Sequence, residues 1–304
     1  EKYYESKPIA LAVSGGPDSI CLTLLLKNWI KISKGKMIAL IIDHKLRDES
    51  SKEANFVKKY LTDCKIDSKI IKINKFNIDK RSMKEARDNR FEKLTNYCKK
   101  NKIFHLFLGH HFDDNLETYL LRRVAGSNFE GLRSMQNKLF MKNLQIIRPL
   151  LDYQKKEIIQ YNNVNKIKSI NDPSNKNTKY SRVLIRNFLS ENVNYKKIIS
   201  NEFNDIIKYY PFYKKMIFQA VNEIIKNISK NEIIIDSNIF LKKDIEMQAK
   251  IIEIIYKFLR LKKYPPRYKK NLQFLSELQN KTVFKTNLAG IIVKKDEKLI
   301  YFRL

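Results

Sequence analysis

Ser14-Gly15-Gly16-Pro17-Asp18-Ser19 follows the apolar run Ile9–Val13 and leads into Ile20-Cys21-Leu22-Thr23-Leu24-Leu25-Leu26. An apolar strand, a glycine-rich turn and an apolar helix, in that order, form a setting in which main-chain N–H groups and a helix N-terminus bind phosphate. The two glycines permit close backbone approach and φ angles closed to other residues. Ser14 and Ser19 add hydroxyl donors, and the Asp18 carboxylate is placed to hold a magnesium ion beside the phosphates. No Gly-Lys-Ser/Thr follows, so the loop is not a Walker A loop. An ordinary strand-to-helix turn is the alternative for Gly-Gly-Pro read alone.

The same alternation continues outward from this loop. Short apolar strands are expected at Ile9–Val13, 37–42, 69–73 and 104–108, with helices at about 19–31, 51–62, 84–100 and 115–124. Strand 37–42 is apolar without a break, the mark of burial on both faces. Strands alternating with helices predict an α/β fold, a parallel sheet with helices on both faces and ligands at its C-terminal edge. After Pro149 the pattern changes. A helix capped by Asp152 is expected to about residue 162, and Asn171-Asp172-Pro173-Ser174-Asn175 opens a polar loop. Residues 183–275 read as mostly helical, and 288–293 with 299–302 as a closing hairpin. The expected division is a first domain over 1–190 and a smaller, mainly helical one over 191–304.

Charge and composition narrow the partners. Lys and Arg number 61 against 32 acids, a net charge of +29 shared by both halves of the chain. Such a field suits a large polyanion, most simply nucleic acid. The abundance of Lys, Asn and Ile leaves AT-rich coding as another source of the basicity. The 3 cysteines, Cys21, Cys64 and Cys98, form no C-x-x-C pair and read as reduced core residues of a reducing compartment. No apolar run approaches bilayer length, so no membrane partner is expected. The chain starts at Glu1, and no signal peptide is visible. A cytoplasmic location is expected, or an organelle matrix if an upstream transit peptide was removed.

Further motifs fall just after strands or early in helices. Asp43-His44-Lys45-Leu46-Arg47 ends the second strand, where Asp43 and Arg47 are candidates to contact a nucleotide or its partner substrate; a loop cap is the plainer reading. Arg87 and Arg90 in Glu85-Ala86-Arg87-Asp88-Asn89-Arg90 share one helix face, able to neutralise phosphate or to form a solvated basic face. Gly109-His110-His111-Phe112-Asp113-Asp114-Asn115-Leu116-Glu117-Thr118 leaves the fourth strand and enters a helix. The spacing is not that of a His-Glu-x-x-His zinc site. Carboxylates binding magnesium together with Asp18 fit it better, and Asp113 as a simple helix cap is the bland alternative. Gly126–Arg133, Arg148-Pro149-Leu150-Leu151 and Arg182-Val183-Leu184-Ile185-Arg186 complete the set, each weak alone.

The Ser14–Ser19 loop resembles that of the PP-loop ATP pyrophosphatases, which cut ATP to AMP and pyrophosphate. In order, SGGPDS, DHKLR, EARDNR, GHHFDDNLET, GSNFEGL, IRPLL, DPSN and RVLIRN resemble the tRNA(Ile)-lysidine synthetase family, strongly over about 8–190 and faintly over 230–304. The resemblance implies a Rossmann-like PP-loop domain followed by a helical tRNA-binding domain. It implies ATP with Mg2+, the wobble cytidine of tRNA(Ile) with a CAU anticodon, and L-lysine, joined through an adenylated cytidine to give lysidine. Under it Ser14, Gly15, Gly16, Pro17, Asp18 and Ser19 bind the pyrophosphate portion of ATP, and Asp18 with Asp114 hold magnesium. His110 touches the nucleotide, Arg87 the phosphates or RNA, and Glu117 orients or deprotonates the lysine amine. Asp43, Arg47, Arg90, Arg182 and Arg186 are candidates for tRNA or substrate, the last two toward the anticodon. A homodimer is left open. The alternatives are another PP-loop tRNA-modifying enzyme, a thiolase, or an RNA-binding relative without chemistry.

Overall fold

A computed structural model of the chain describes residues 8–43, 50–73, 83–141, 143–168, 181–260, 266 and 268–304. It divides into two compact units, Glu1–Ile206 and Ile207–Leu304, each described by itself.

The first unit runs β1 (Ile9–Val13), α1 (Pro17–Ser33), β2 (Met37–Asp43), α2 (Ser50–Asp63), β3 (Ser68–Lys72), α3 (Met83–Lys100), β4 (His105–Phe107) and α4 (Phe112–Val124). It continues through α5 (Phe129–Leu132), β5 (Lys138–Met141), β6 (Leu144–Ile147), α6 (Lys155–Val164), α7 (Ser181–Glu191) and the start of α8 (Val193–Ile224). The strands form one sheet in the order β3-β2-β1-β4-β6-β5. All neighbours are parallel except β5, which runs antiparallel along β6.

The period-2 geometry of β1 decides the layering. Ile9, Leu11 and Val13 point to one face, where they meet Ile20, Leu22 and Leu26 of α1, Val57 and Leu61 of α2, and Ile158 of α6. Ala10 points to the other face with Leu40, Leu106 and Ile146, under Leu94 and Cys98 of α3. Helices therefore cover both faces of a mostly parallel sheet, as the alternation predicts. A third cluster joins Leu116, Tyr119 and Leu120 of α4 to Leu189 of α7 and Ile199 and Phe203 of α8. That cluster fixes how α7 faces α4.

Three local readings change. The helix expected from residue 115 begins at Phe112, because the N-terminal turn is closed by a side chain three residues into it. The helix expected from Asp152 begins at Lys155. Asp152 caps nothing there: its carboxylate accepts from Asn137 Nδ2 at 3.0 Å, while the Gln154 N–H donates to Glu157 at 2.7 Å. The β5–β6 hairpin was not anticipated.

The second unit, which begins within α8, contains β7 (Ile225–Ile228), β8 (Glu232–Asp236), α9 (Ser237–Leu241), α10 (Ile245–Arg260), α11 (Tyr268–Asn280), β9 (Phe284–Leu288), β10 (Ile291–Lys295) and β11 (Leu299–Arg303). The expected closing hairpin is the β10–β11 pair, with Val293 opposite Phe302. It belongs to a five-stranded antiparallel sheet, β7-β8-β11-β10-β9. β7 and β8 lie inside the stretch that reads as helical. The unit's core joins Ile235, Val293, Ile300 and Phe302 of this sheet to Ile251, Ile252 and Ile255 of α10 and Leu275 and Leu278 of α11. No helix among the described residues is long and apolar enough to cross a membrane.

Candidate active site

β1 lies inside the sheet with β2 on one side and β4 on the other. The chain winds outward in both directions from that point, so the loops leaving β1 and β4 open a crevice between them, the place where open α/β sheets bind ligands. Both motifs singled out from the sequence lie there. Gly15 has φ 87°, a conformation that favours glycine. Gly16 is the N-cap and Pro17 the first residue of α1, and no side chain caps the helix. The first-turn N–H groups of Asp18 and Ser19 are therefore without intrahelical acceptors. The Ser14 N–H donates to Ser19 Oγ at 3.3 Å, the two hydroxyl oxygens are 3.2 Å apart, and Ser19 Oγ donates to the Gly16 carbonyl at 3.0 Å. The turn is thus braced by the hydroxyls that a phosphate would contact.

Gly109, just past β4, explains how the second motif reaches the first. A Cβ on it would sit 3.2 Å from the Asp18 carbonyl carbon and oxygen and the Ser19 Cα. Its absence lets the β4 loop lie against the first turn of α1. His111 then stands with Nε2 3.8 Å from Asp18 Oδ2 and 3.6 Å from Asp114 Oδ2, and with Nδ1 3.7 Å from Asp113 Oδ2. Those separations are too long for hydrogen bonds, and Nδ1 is buried with no partner among the described residues. Asp18 and Asp114 therefore face one small volume across a single imidazole. Among the described residues no three His, Cys, Asp or Glu side chains are arranged to hold an ion unaided. Magnesium needs no such cage; one or two carboxylates with phosphate oxygens and water suffice. The Asp18–Asp114 pair fits that donor set.

Asp18 is engaged by a residue the sequence reading passed over. Lys155, the first residue of α6, places Nζ 2.5 and 2.7 Å from the two Asp18 oxygens. Its main-chain N–H donates to Asp113 Oδ2 at 2.7 Å. Lys196 of α8 holds the other Asp113 oxygen. Hydrogen bonding from these two groups keeps the Asp113 pKa below its usual value despite burial, which acts the other way. Asn162 of α6 donates to the Pro17 carbonyl at 3.1 Å, so α6 is fastened to the first turn of α1 at two points.

His110 sits beside a buried cation. Arg148 donates through Nη1 to the Gln136 carbonyl at 2.8 Å and through Nε to His110 Nδ1 at 3.3 Å. An acceptor at Nδ1 leaves the imidazole proton on Nε2. Burial, joined by the neighbouring Arg148, Arg90 and Arg87 charges, lowers the His110 pKa to about 4 against the opposing pull of Asp114. His110 is a neutral donor at pH 7. The arginines are themselves perturbed: desolvation lowers the pKa of Arg87, Arg90 and Arg148, and Arg182 and Arg90 add to the effect at Arg87. This crowding of cations is favourable only with anions present, from the protein or from a ligand.

The sign of the His110 effect sets a stability test. A pKa of about 4 in the fold against 6.5 unfolded means that the unfolded chain binds the proton first as pH falls. The contribution is complete above pH 6.5 and is lost as pH drops toward 4, by roughly 3 kcal/mol. Urea unfolding at a series of pH values should therefore show a flatter acid limb for His110→Asn than for the wild type. Parallel limbs would show that His110 takes up protons equally in both states.

Further along α4, Glu117 is about 1% exposed. Arg186 of α7 donates to it twice, Nε to Oε1 at 2.6 Å and Nη2 to Oε2 at 3.2 Å. This bidentate pair raises the Arg186 pKa through the Glu117 hydrogen bond, while burial raises that of Glu117. Arg186 Nη2 is also 4.0 Å from Asp114 Oδ1. One helical turn earlier on α7, Arg182 Nη2 donates to Thr118 Oγ1 at 2.9 Å, and that hydroxyl donates to the Asp114 carbonyl at 2.8 Å. Arg182 and Arg186, candidates for the tRNA side, are thus turned onto α4 by the α4–α7–α8 core. Glu117, a candidate to meet a lysine amine, is paired here with Arg186, which donates to both of its carboxylate oxygens.

Asp43 stays outside this group. Its carboxylate is buried and accepts from Ser51 Oγ of α2 at 2.7 Å, in keeping with the loop-cap reading. Arg47 and the Asn171–Asn175 loop lie outside the described residues. Asn128 accepts from the Gly131 N–H at 3.0 Å and caps α5. Lys155, Arg148 and His111 carry site geometry without having been assigned a role. Arg148 and His111 had a signal, their places in the quoted motifs; Lys155 had none.

Residues 1–193 match the PP-loop domain family. The chain is 42% identical over 193 residues to the tRNA(Ile)-lysidine synthase of Wolbachia pipientis wMel, a match covering 63% of this chain and 45% of that protein. It is 30% identical over 300 residues to the tRNA(Ile)-lysidine synthase of Rickettsia bellii, covering 97% of this chain and 69% of that protein. The matched stretch thus spans less than half of the Wolbachia relative and about two thirds of the Rickettsia one. Among solved structures, the U34-tRNA thiolase NcsA from Methanococcus maripaludis, with its 4Fe-4S cluster, superposes with a TM-score of 0.56 over 68% of this chain and 73% of that one, at 17% identity. That likeness concerns the fold alone. With the loop, the sheet and the ordered motifs, these matches show that the chain belongs to the PP-loop family and, within it, to the tRNA(Ile)-lysidine synthases.

Proposed function

We propose that this chain joins L-lysine to the wobble cytidine of CAU-anticodon tRNA(Ile) at the expense of ATP. The observation that carries the reading is the meeting of the Ser14–Ser19 loop with Asp114, His110 and the arginines at one sheet edge. In the first half-reaction the cytidine O2 attacks the α-phosphorus of ATP and the bond to pyrophosphate breaks. The first-turn N–H groups of α1 and the Ser14 and Ser19 hydroxyls receive the pyrophosphate as its charge grows. Asp18 and Asp114 would hold magnesium, which neutralises charge on the phosphates. Neutral His110 offers its Nε2 proton as a hydrogen bond, while Arg87, Arg90 and Arg148 supply fixed positive charge for phosphate or RNA. In the second half-reaction the lysine ε-amine attacks C2 of the adenylated cytidine, the C2–O bond breaks and AMP leaves. Glu117 acts here by holding Arg186 at the site, and its bidentate pair supports that role over proton abstraction.

The net charge of +29 and the free cysteines, with Cys21 and Cys98 buried, fit an RNA-binding enzyme of a reducing compartment, here the cytoplasm. Incubation with ATP, radiolabelled lysine and CAU-anticodon tRNA should give label in the tRNA together with tRNA-dependent pyrophosphate. Absence of both would end the proposal. Pyrophosphate release with sulfur in place of lysine, seen by mass spectrometry of the nucleoside, would move it to a thiolase.

A further inference from the structure

The phosphate loop of this chain contains no lysine: Ser14-Gly15-Gly16-Pro17-Asp18-Ser19 is followed by Ile20-Cys21-Leu22. A loop of the Gly-Lys-Ser/Thr type carries its own ammonium to the β- and γ-phosphates. Here an ammonium comes from Lys155, 137 positions away, with Nζ 2.5 Å from Asp18 Oδ1. We propose that Lys155 is a phosphate-binding residue of this site, delivered to the loop by α6 of the same chain, and that Asp18 holds it in place until a polyphosphate arrives. The inference rests on the ATP reading above and assigns a residue that reading did not use.

Three observations carry it. First, the position of Lys155 is fixed independently of Asp18. Its N–H is held by Asp113 at 2.7 Å, and α6 is tied to the Pro17 carbonyl through Asn162 at 3.1 Å. Movement of the Asp18 carboxylate therefore leaves the stem of Lys155 beside the loop. Second, its side chain is 34% exposed and that of Asp18 24%, so a ligand can reach the pair from solvent. Third, both Asp18 oxygens accept from the Lys155 ammonium, so an incoming polyphosphate competes with this carboxylate for the same donor. When a polyphosphate binds, the ammonium would exchange carboxylate oxygens for phosphate oxygens, which would leave Asp18 open to a magnesium ion. The exchange conserves the number of charge-assisted hydrogen bonds, so the ammonium is never left unpaired in a half-buried site.

The test is metal-free binding, read by calorimetry in EDTA with inorganic pyrophosphate as probe, and with adenosine as a ligand lacking phosphate. Lys155→Met is expected to weaken pyrophosphate binding roughly 10- to 100-fold. Lys155→Arg should stay within a few fold of wild type, and adenosine affinity should be alike in all three. Equal pyrophosphate affinity of Lys155→Met and wild type would overturn the proposal. A second measurement needs no variant. Acetylation of the intact protein, mapped by mass spectrometry, should fall at Lys155 when pyrophosphate is added and be unchanged by adenosine; undiminished labelling at saturating pyrophosphate would also overturn it. Wild-type protein that binds neither ATP nor pyrophosphate would remove the ATP reading itself. Binding to the wild type that Lys155→Met retains removes only the role of Lys155.

Discussion

Asp114→Asn is expected to slow tRNA-dependent pyrophosphate release about a thousandfold, equivalent to about 4 kcal/mol of transition-state stabilisation. The substitution is informative because it changes charge with little change in structure. Asp114 Oδ2 accepts from the His111 N–H at 3.1 Å and closes the first turn of α4. The oxygen of an asparagine can accept the same bond, so the start of α4 survives. Thr118 still reaches the Asp114 main-chain carbonyl, as it does now at 2.8 Å, so Arg182 keeps its place. What disappears is one of the two carboxylates that face the loop, and with it an anion that offsets the Arg186 and Arg87 charges. Nucleotide-free tRNA should bind within a few fold of wild type, measured by filter retention alongside a pyrophosphate-release assay. Release within tenfold of wild type would remove Asp114 from the cation-binding pair. A joint collapse of tRNA affinity and melting temperature would assign it to structure instead.

The parts of this site that were legible in the sequence are the local ones. The strand, turn and helix around Ser14–Ser19 announce themselves because alternation and glycine placement act over a few residues. His110 and Asp114 are four positions apart and Asp114 and Glu117 three, so a helix start places them on one side wherever the helix lies. The central strands were readable for the same reason, and β2, buried on both faces, was the plainest. The pairs that complete the site are long-range. Lys155 meets Asp18 across 137 positions, Arg186 meets Glu117 across 69, and Arg148 meets His110 across 38. No periodicity encodes such meetings; they follow from the sheet order and from α6 and α7 docking on α1 and α4. The misreading of β7 and β8 has a different cause. Ile233-Ile234-Ile235 is a short β-branched run between two long amphipathic helices, α8 and α10. A run that short is ambiguous alone, and only pairing with β11 at Ile235 opposite Ile300 decides it.

Glu117 and Arg186 are expected to behave as one unit in a double-mutant cycle. Removing either partner should cost lysine transfer about a hundredfold, and removing both should cost little more than removing one. Glu117 is sealed from solvent while Arg186 is about 44% exposed, so the two single variants are not equivalent. In Arg186→Ala a buried carboxylate loses both guanidinium donors; burial already raises its pKa, and the opposing pull of Arg186 is gone. In Glu117→Ala the guanidinium keeps its charge beside Asp114, with Arg182 nearby on the same helix, but loses the fork that orients it. Arg186→Ala should therefore melt lower, while Glu117→Ala should keep more stability for the same loss of rate. Because Arg186 is partly solvated, the stability difference is held to about 1–3 kcal/mol, below the range for fully buried pairs. Glu117→Gln separates positioning from proton abstraction. The amide oxygen still accepts one guanidinium bond, so a positioning role predicts recovery of a substantial part of the rate, with a pH–rate profile parallel to wild type. A base role predicts that Gln is as damaging as Ala and that the limb of the profile set by the base disappears. Rates that multiply in the double variant would show that Glu117 and Arg186 act on different steps, and the carboxylate would then return to candidacy as the group that meets the lysine amine.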